Sequence, residues 1–296
     1  MQTTAPTVRV RIVGGLGNQM FGAAAGMALA KRLGAKLEFE LYQFRESSGR
    51  TLPYELAPFK LPADVTRTTD WRFKPEASVY RWWKRITTGA GGGHALVSWR
   101  QPGHHFDPQF ERLSGNVYLK GYFQSARYFA NISAEVRKAF DLSGVISDLG
   151  RRHAAAAGEV GERSVAVHVR RGDYVQHSDR FALLGRDYYD RALRLVNRAV
   201  DHPRYFVVSD DPAAAREMFA DRPDTTFAAG GSAFDDMHLI ASCHHHIIAN
   251  SSFSWWGAYL SPWQEGLTIA PRAWFSPAVA LHTYLDDTYP AGWITV

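Results

Sequence analysis

Residues 167–174, "VHVRRGDY", place His168, Arg170, Arg171 and Asp173 at and just beyond the end of an alternating apolar run. Guanidinium forks match phosphate oxygens bidentately and stay charged at any physiological pH. A strand tip carrying such a pair aims fixed positive charge at one point, as an anionic ligand or a developing negative charge requires. Adjacent residues leaving a strand point in different directions, so only one of the two arginines is expected to lie with that anion. The same residues also read as a surface ion pair, Arg170 or Arg171 with Asp173.

Three further stretches have chemical potential. In "VVSDDP" (207–212), Ser209 and Asp210 stand at a strand end, where they could accept from a guanine edge or a ribose hydroxyl, or simply cap the next helix. In "IIANSSFSWWGAYL" (247–260), an apolar strand, a Ser/Asn turn and an aromatic helix make a natural diphosphate cradle at Ser252, Phe253 and Ser254. Its plainer reading is a helix N-capped by Ser252 over an aromatic core. "GGLGNQMF" (14–21) begins like a dinucleotide fingerprint with Gly15 and Gly17, but Met20 occupies the third glycine position. A purely structural turn explains it equally. The "CHHH" run at 243–246 suggests metal, yet consecutive strand residues alternate faces, which favours a core or surface role.

The elements that must position these groups alternate. "VRVRIV" (8–13) is strand-like, "MFGAAAGMALAKRLG" suits a buried helix ending at Gly34, and "AKLEFEL" is a second strand. "NVYLKGYF" (116–123) reads as a strand and "SARYFANISAEVRKAF" as a helix. After a polar Ala/Gly-rich stretch at 143–164, read as an interdomain helix or linker, a second series follows. Its strands are "SVAVHV", "RYFVVS" and "HHHIIAN"; its helices include 187–200, one with Pro212 in its first turn, and "DDMHLIASC". The fold class is therefore α/β: two facing Rossmann-type domains, residues 1–150 and 151–296, with the active site expected in the cleft between them. Residues 45–115 read as an irregular, partly mobile insertion.

The chain has 296 residues, 46% hydrophobic and 13% aromatic, enough for a sizeable core. A net charge of +5 suits phosphate-bearing ligands, an anionic membrane surface or nucleic acid without selecting among them. Lysine and arginine are scattered rather than gathered on one face, which argues against a nucleic-acid partner. The single cysteine, Cys243, excludes an intrachain disulfide. No signal-peptide core and no apolar run of about 18 residues occurs. The expected location is cytoplasmic, with "YRWWKR" (80–85) either touching the membrane's cytoplasmic face or packing inward.

Taken together, "GGLGNQMF", "GYFQSARYF", "HVRRGDY", "SDD" and "DDMHLIASCHHHIIANSSFSWWGAYLS" resemble, in that order, the motifs of bacterial α-1,2-fucosyltransferases. The resemblance runs from about Arg9 to Phe275. It implies a GT-B-like architecture, an acceptor-side first domain and a donor-side second domain. It further implies inverting transfer of L-fucose from GDP-β-L-fucose to the 2-hydroxyl of a terminal galactose, without a metal or other cofactor. The acceptor would be a galactose-terminated oligosaccharide or lipid-linked glycan, as in O-antigen biosynthesis.

By motif, Arg170 would grip the β-phosphate with Ser252, Phe253 and Ser254, while His168 and Asp210 would lie near the guanosine. Asp236 is a weaker nucleotide-side candidate. Gly17, Asn18 and Gln19 would line the cleft from the first domain near the reacting groups, with Asn18 a catalytic candidate. Arg171 would order the Gly172–Asp173 loop. Asp173 is the first candidate for the general base, with an orienting ion pair as its other reading, and Asp179 is a distant second. The competing functions are a fucosyltransferase of another linkage (α-1,6 or O-fucosyl type) and a nucleotide-binding protein without transfer activity.

Overall fold

The computed structural model describes residues 5–41, 44, 53–66, 96–281, 283, 285 and 287–296. Trp71, Trp82, Trp83, the "YRWWKR" stretch and most of the 45–115 insertion lie outside the described residues. The chain forms two compact units: Met1–Pro102, Phe106–Phe123 and Tyr128–Ile132 in the first; Gly103–His105, Gln124–Arg127 and Ser133–Val296 in the second.

The first unit holds β1 (Thr7–Arg11), α1 (Leu16–Leu33), β2 (Lys36–Glu40), β3 (Asp64–Thr66), β4 (Val97–Arg100) and β5 (Val117–Lys120). Its sheet is parallel throughout, in the order β3-β2-β1-β5-β4. Helix α1 is rich in Ala and Gly because it lies very close to that sheet. A Cβ on Gly26 would sit 2.4 Å from Val10 and 3.0 Å from Leu37. The close helix–strand approach that a fingerprint's third glycine normally permits is thus made at Gly26, nearly two turns after Met20. Gly34 ends α1 in the left-handed conformation, its N–H donating to Ala30 and Lys31 carbonyls.

The second unit contains α2 (Ser133–Ala139), α3 (Asp148–Val160), β6 (Ser164–Val169), α4 (Gly172–Gln176), α5 (Arg186–Ala199), β7 (Arg204–Ser209) and α6 (Pro212–Met218). It continues with β8 (Thr225–Phe227), α7 (Ala233–Ser242), β9 (His245–Ile247), α8 (Ser252–Leu260), β10 (Thr268–Ala270), α9 (Pro277–Ala280) and β11 (Ile294–Thr295). Its parallel sheet runs β11-β10-β9-β6-β7-β8, a Rossmann order with the direction change between β6 and β9.

Of the two readings of the 143–164 stretch the helix holds, although it lies inside the second unit rather than between the units. The stretch supplies α3, whose N-cap Ser147 is tied to Asp235 at the start of α7 through both its N–H (2.7 Å) and its hydroxyl (3.0 Å). The division between units falls before Ser133 rather than near residue 150. Likewise, "SARYFANI" does not extend a long helix. It is a 3-10 segment broken at Phe129 (φ −136°), and only then does α2 begin. Among the described residues, no helix is long and apolar enough to cross a membrane.

The core of the second unit explains why β6 ends where it does. Helix α5 buries Tyr188, Tyr189, Ala192, Leu193 and Val196 at helical spacing against Val165, Val167 and Val169. Tyr189 donates its hydroxyl to the His168 carbonyl at 3.0 Å. The polar end of a buried aromatic thereby fixes the last turn of backbone before the arginines.

Candidate active site

In an open parallel sheet, ligands bind off the carboxyl ends of the strands where the order reverses. In the second unit that point lies between β6 and β9. The β6 tip delivers His168, Arg170 and Arg171, and the β9 tip leads into Asn250 and the start of α8. Strand β7 flanks β6 in register, Val169 beside Ser209, which brings Asp210 next to the arginines.

Arg170 is clamped. Its Nη2 donates to Asp173 Oδ1 at 2.7 Å, and its Nη1 lies 3.1 Å from Asp210 Oδ2. Its guanidinium carbon sits 5.3 Å from the Tyr174 ring centroid. Asp210 also accepts the Arg171 N–H at 2.9 Å. A Cβ at position 172 would stand 2.5 Å from Asp210 Oδ2, so any larger residue would displace that carboxylate from the arginines. Asp210, expected beside the guanosine, is therefore engaged with the arginine loop. It does not cap α6 either: Asp211 does so, accepting from Ala214 N–H, while Ser209 Oγ accepts from Asp211 N–H. Arg171 lines a separate cavity of about 280 Å³ with Arg186, Ala214, Glu217 and Met218. The buried Nε atoms of both arginines have no hydrogen-bond partner.

His168 is buried, and burial followed by the Arg170 charge lowers its pKa to about 3, so the imidazole is neutral. Its ring centroid lies 5.5 Å from that of Phe253, which joins the β6 tip to the start of α8. The N-cap of α8 is Ser251 rather than Ser252; its Oγ accepts from Phe253 N–H. Ser254 is fully buried and turns its hydroxyl back to the Ser251 carbonyl. Ser252 alone of the predicted hydroxyl pair stays partly exposed, at a helix start whose first N–H groups have no intrahelical acceptors.

Three residues that the motifs did not single out build the scaffold. Asn250 donates through Nδ2 to the Ala182 and Trp274 carbonyls, and its own carbonyl accepts from the Tyr174 hydroxyl at 2.9 Å. Tyr174 stacks on Phe181 at 4.4 Å. The loops after β6 and β9 are thus stitched together by Asn250 and Tyr174, while Ser251 caps the helix that follows. A polar residue between an apolar strand and a serine cap was the one sequence signal for Asn250.

Asp236 lies in the first turn of α7, beside the capping box formed by Ser232 and Asp235. Burial, and then the neighbouring Asp235 charge, push its carboxyl up to about 6. The histidine run is structural: His245 Nδ1 accepts from Leu267 N–H, and the buried His246 contacts the Ile240 carbonyl and Thr268 Oγ1.

Gly17, Asn18 and Gln19 belong to the first turn of α1 in the first unit. Asn18 packs beneath Gly14, which has φ +73° and where a Cβ would meet Nδ2 at 2.7 Å. Gln19 does not line a ligand surface. It is fully buried, donating to Gly14 and Pro53 carbonyls and accepting from Glu55 N–H. Its amide ties the glycine turn to the 53–55 loop.

Two α/β units, each with a parallel sheet, the second presenting the clamped Arg170 and a serine-capped helix at its switch point, have the GT-B-like architecture of glycosyltransferases. A mutant of Arabidopsis thaliana FUT1 in complex with GDP shares the fold (TM-score 0.53, 11% identity, 91% of this chain and 71% of that one). Residues 101–296 match glycosyl transferase family 11, and the chain belongs to that family. It is 30% identical to an Escherichia coli alpha-1,2-colitosyltransferase over 98% of each chain. It is 31% identical to the Escherichia coli O-antigen biosynthesis glycosyltransferase WbnK over 89% of this chain and 93% of that one. The mouse galactoside 2-alpha-L-fucosyltransferase Sec1 is 26% identical over 97% of this chain and 73% of that one.

Proposed function

We propose that this protein transfers L-fucose from GDP-β-L-fucose to the 2-hydroxyl of a terminal galactose, with inversion, in the assembly of a surface glycan such as O-antigen. The observation that carries this reading is the Arg170 clamp at the switch point of a family 11 chain. As the sugar C1–O bond breaks, the anomeric carbon becomes oxocarbenium-like and the departing diphosphate gains negative charge. A guanidinium already held in place stabilises that charge without reorganising. Ser252 and the N–H groups at the start of α8 complete the diphosphate cradle. In this reading Asp173 orients Arg170, supported by the 2.7 Å contact of its Oδ1 with Arg170 Nη2.

A donor carrying colitose, which is L-fucose without its 3-hydroxyl, is the second reading, favoured by the colitosyltransferase relative. The test is turnover of GDP-fucose, GDP-colitose and GDP-mannose with a panel of β-galactosides, and product linkage by NMR. We expect an α-1,2-fucosyl galactoside with little turnover of GDP-mannose. Equal use of GDP-mannose, or an α-1,6 product, would refute the reading. In the same assay, turnover persists in EDTA, because Arg170 supplies the charge a divalent ion would and both nearby carboxylates are committed to it. Complete loss restored by Mn²⁺ would show a metal requirement.

Asp236 makes the donor affinity pH-dependent. A guanine edge offers N–H donors, so the carboxylate form binds and the protonated form does not. With the free-state pKa near 6, GDP affinity is full well above that pH and falls as pH drops through it, by about tenfold per unit. Calorimetry between about pH 8 and pH 5 reads this directly. Asp236→Asn should bind weakly and keep only the slope that the GDP terminal phosphate, which itself titrates near about pH 6, contributes; a wild-type profile no steeper than the variant's removes Asp236 from the nucleotide site.

A further inference from the structure

The first unit carries a second strand-end constellation that the donor site does not use. Its sheet order reverses between β1 and β5, so its ligand crevice lies off the carboxyl ends of those two strands. One sheet face is apolar and covered by α1, which packs on Val10 and Leu37. The alternating residues put charge on the other face. In the last register row Glu40 stands beside Arg11, and Lys120 beside Arg100.

Glu40 and Arg11 satisfy each other. Arg11 Nε lies 3.0 Å from Glu40 Oε2, and the Tyr118 hydroxyl donates to the same oxygen at 2.7 Å. Among the described residues Lys120 makes no hydrogen bond or ion pair of this kind. Its side chain is 8% exposed, with the ammonium 4.6 Å from the Tyr118 ring centroid. Among the described residues no carboxylate lies within ion-pair distance of it or of Arg100. Burial, and then the charges of Arg11 and Arg100, lower its pKa, against a smaller opposing effect of Glu40. The turn that follows Lys120 is held rigidly: Gln101 Oε1 accepts from the N–H groups of Tyr122 (3.1 Å) and Phe123 (2.9 Å). Phe123 is buried at φ +54°, a conformation that a bulky residue adopts only under constraint. The Lys120 stem is thus buried, and its ammonium, beside two arginines on a pinned strand end at a switch point, is placed to receive an anion.

We propose that Lys120, supported by Arg100, binds an anionic group of the acceptor glycan, a carboxylate or a phosphate. The assignment to the acceptor rests on the transferase reading above: the donor diphosphate is served by Arg170 in the other unit, so a second anion site needs a second anion.

The test is steady-state kinetics at saturating GDP-fucose with three galactosides: one neutral, one bearing an adjacent glucuronate, and one linked through a diphosphate. The wild type should prefer one anionic acceptor, and which one separates carboxylate from phosphate. Lys120→Met should raise KM for that acceptor by about 10–100-fold more than for the neutral one. Lys120→Arg should retain the preference, and Arg100→Gln, at an exposed position, should weaken it should Lys120→Met not fold. Equal wild-type use of all three acceptors, or equal losses on all three in the variants, overturns the proposal. If no galactoside is turned over, the transferase reading is what has failed. The anion site is then read by calorimetry of methyl β-D-glucuronide and inorganic pyrophosphate in the presence of saturating GDP. Binding lost in Lys120→Met supports it, and no binding by the wild type overturns it.

Discussion

Arg170→Lys lowers turnover by about 10²–10³-fold while the protein remains folded, the loss typical of removing one preorganised transition-state donor. The guanidinium reaches Asp173 and Asp210 with two different nitrogens and still lies against the Tyr174 ring. A lysine ammonium is a single point on a flexible stem, so it cannot hold both carboxylates and present a planar fork to a diphosphate. Arg171 lines a different cavity and meets Asp210 through its backbone N–H. Arg171→Lys should therefore cost less turnover per folded molecule and show a larger share of its effect in thermal melts. Kinetics on both lysine variants, corrected for folded fraction, decide the matter. Near-wild-type turnover in Arg170→Lys with loss in Arg171→Lys would reverse the two roles. Full activity in both would end the diphosphate-clamp hypothesis.

Asp210→Asn should lower kcat by about 10–100-fold, the value of a charge-assisted hydrogen bond, with GDP affinity changed only a few-fold. Asp210 fixes Arg170 through one oxygen and the Arg171 backbone through the other. The asparagine carbonyl can still accept from Arg171 N–H, so the loop survives and only the arginine loses its charged partner. Asp210 is in this sense a positioning residue. A guanosine contact would instead weaken GDP binding with kcat preserved. Stopped-turnover kinetics and GDP calorimetry on the same variant separate the two, and a dominant effect on GDP affinity would return Asp210 to the nucleotide.

Much of this protein is legible along the chain. The alternation of "SVAVHV", the helical spacing of Tyr188, Tyr189, Ala192, Leu193 and Val196, and the Gly34 stop all reflect interactions between residues a few positions apart. Those periodicities are what define an α/β chain. The strand-tip arginines and the serine-rich helix start were visible for the same reason, because their placement follows from where a local element ends. Their order along the chain was enough to indicate the family to which it belongs.

Other decisions required partners far apart in sequence. Whether Ser251 or Ser252 caps α8, and whether Asp210 or Asp211 caps α6, depends on backbone angles set by the packed strands. Asp210 turned to Arg170 because β6 and β7 pair in register across about forty residues of chain, roughly the reach of one βαβ crossover. Gln19 looked ligand-facing within a glycine-rich turn, yet the 53–55 loop folds over it and saturates its amide. The Glu40–Arg11–Lys120–Arg100 row exists only once four strands align, so no single stretch announces it. The sequence by itself determined the elements and the residues at their ends, since both follow from neighbouring side chains. The tertiary structure alone decided which of those residues meet, because cross-strand register and the direction change of each sheet are properties of the assembled sheet.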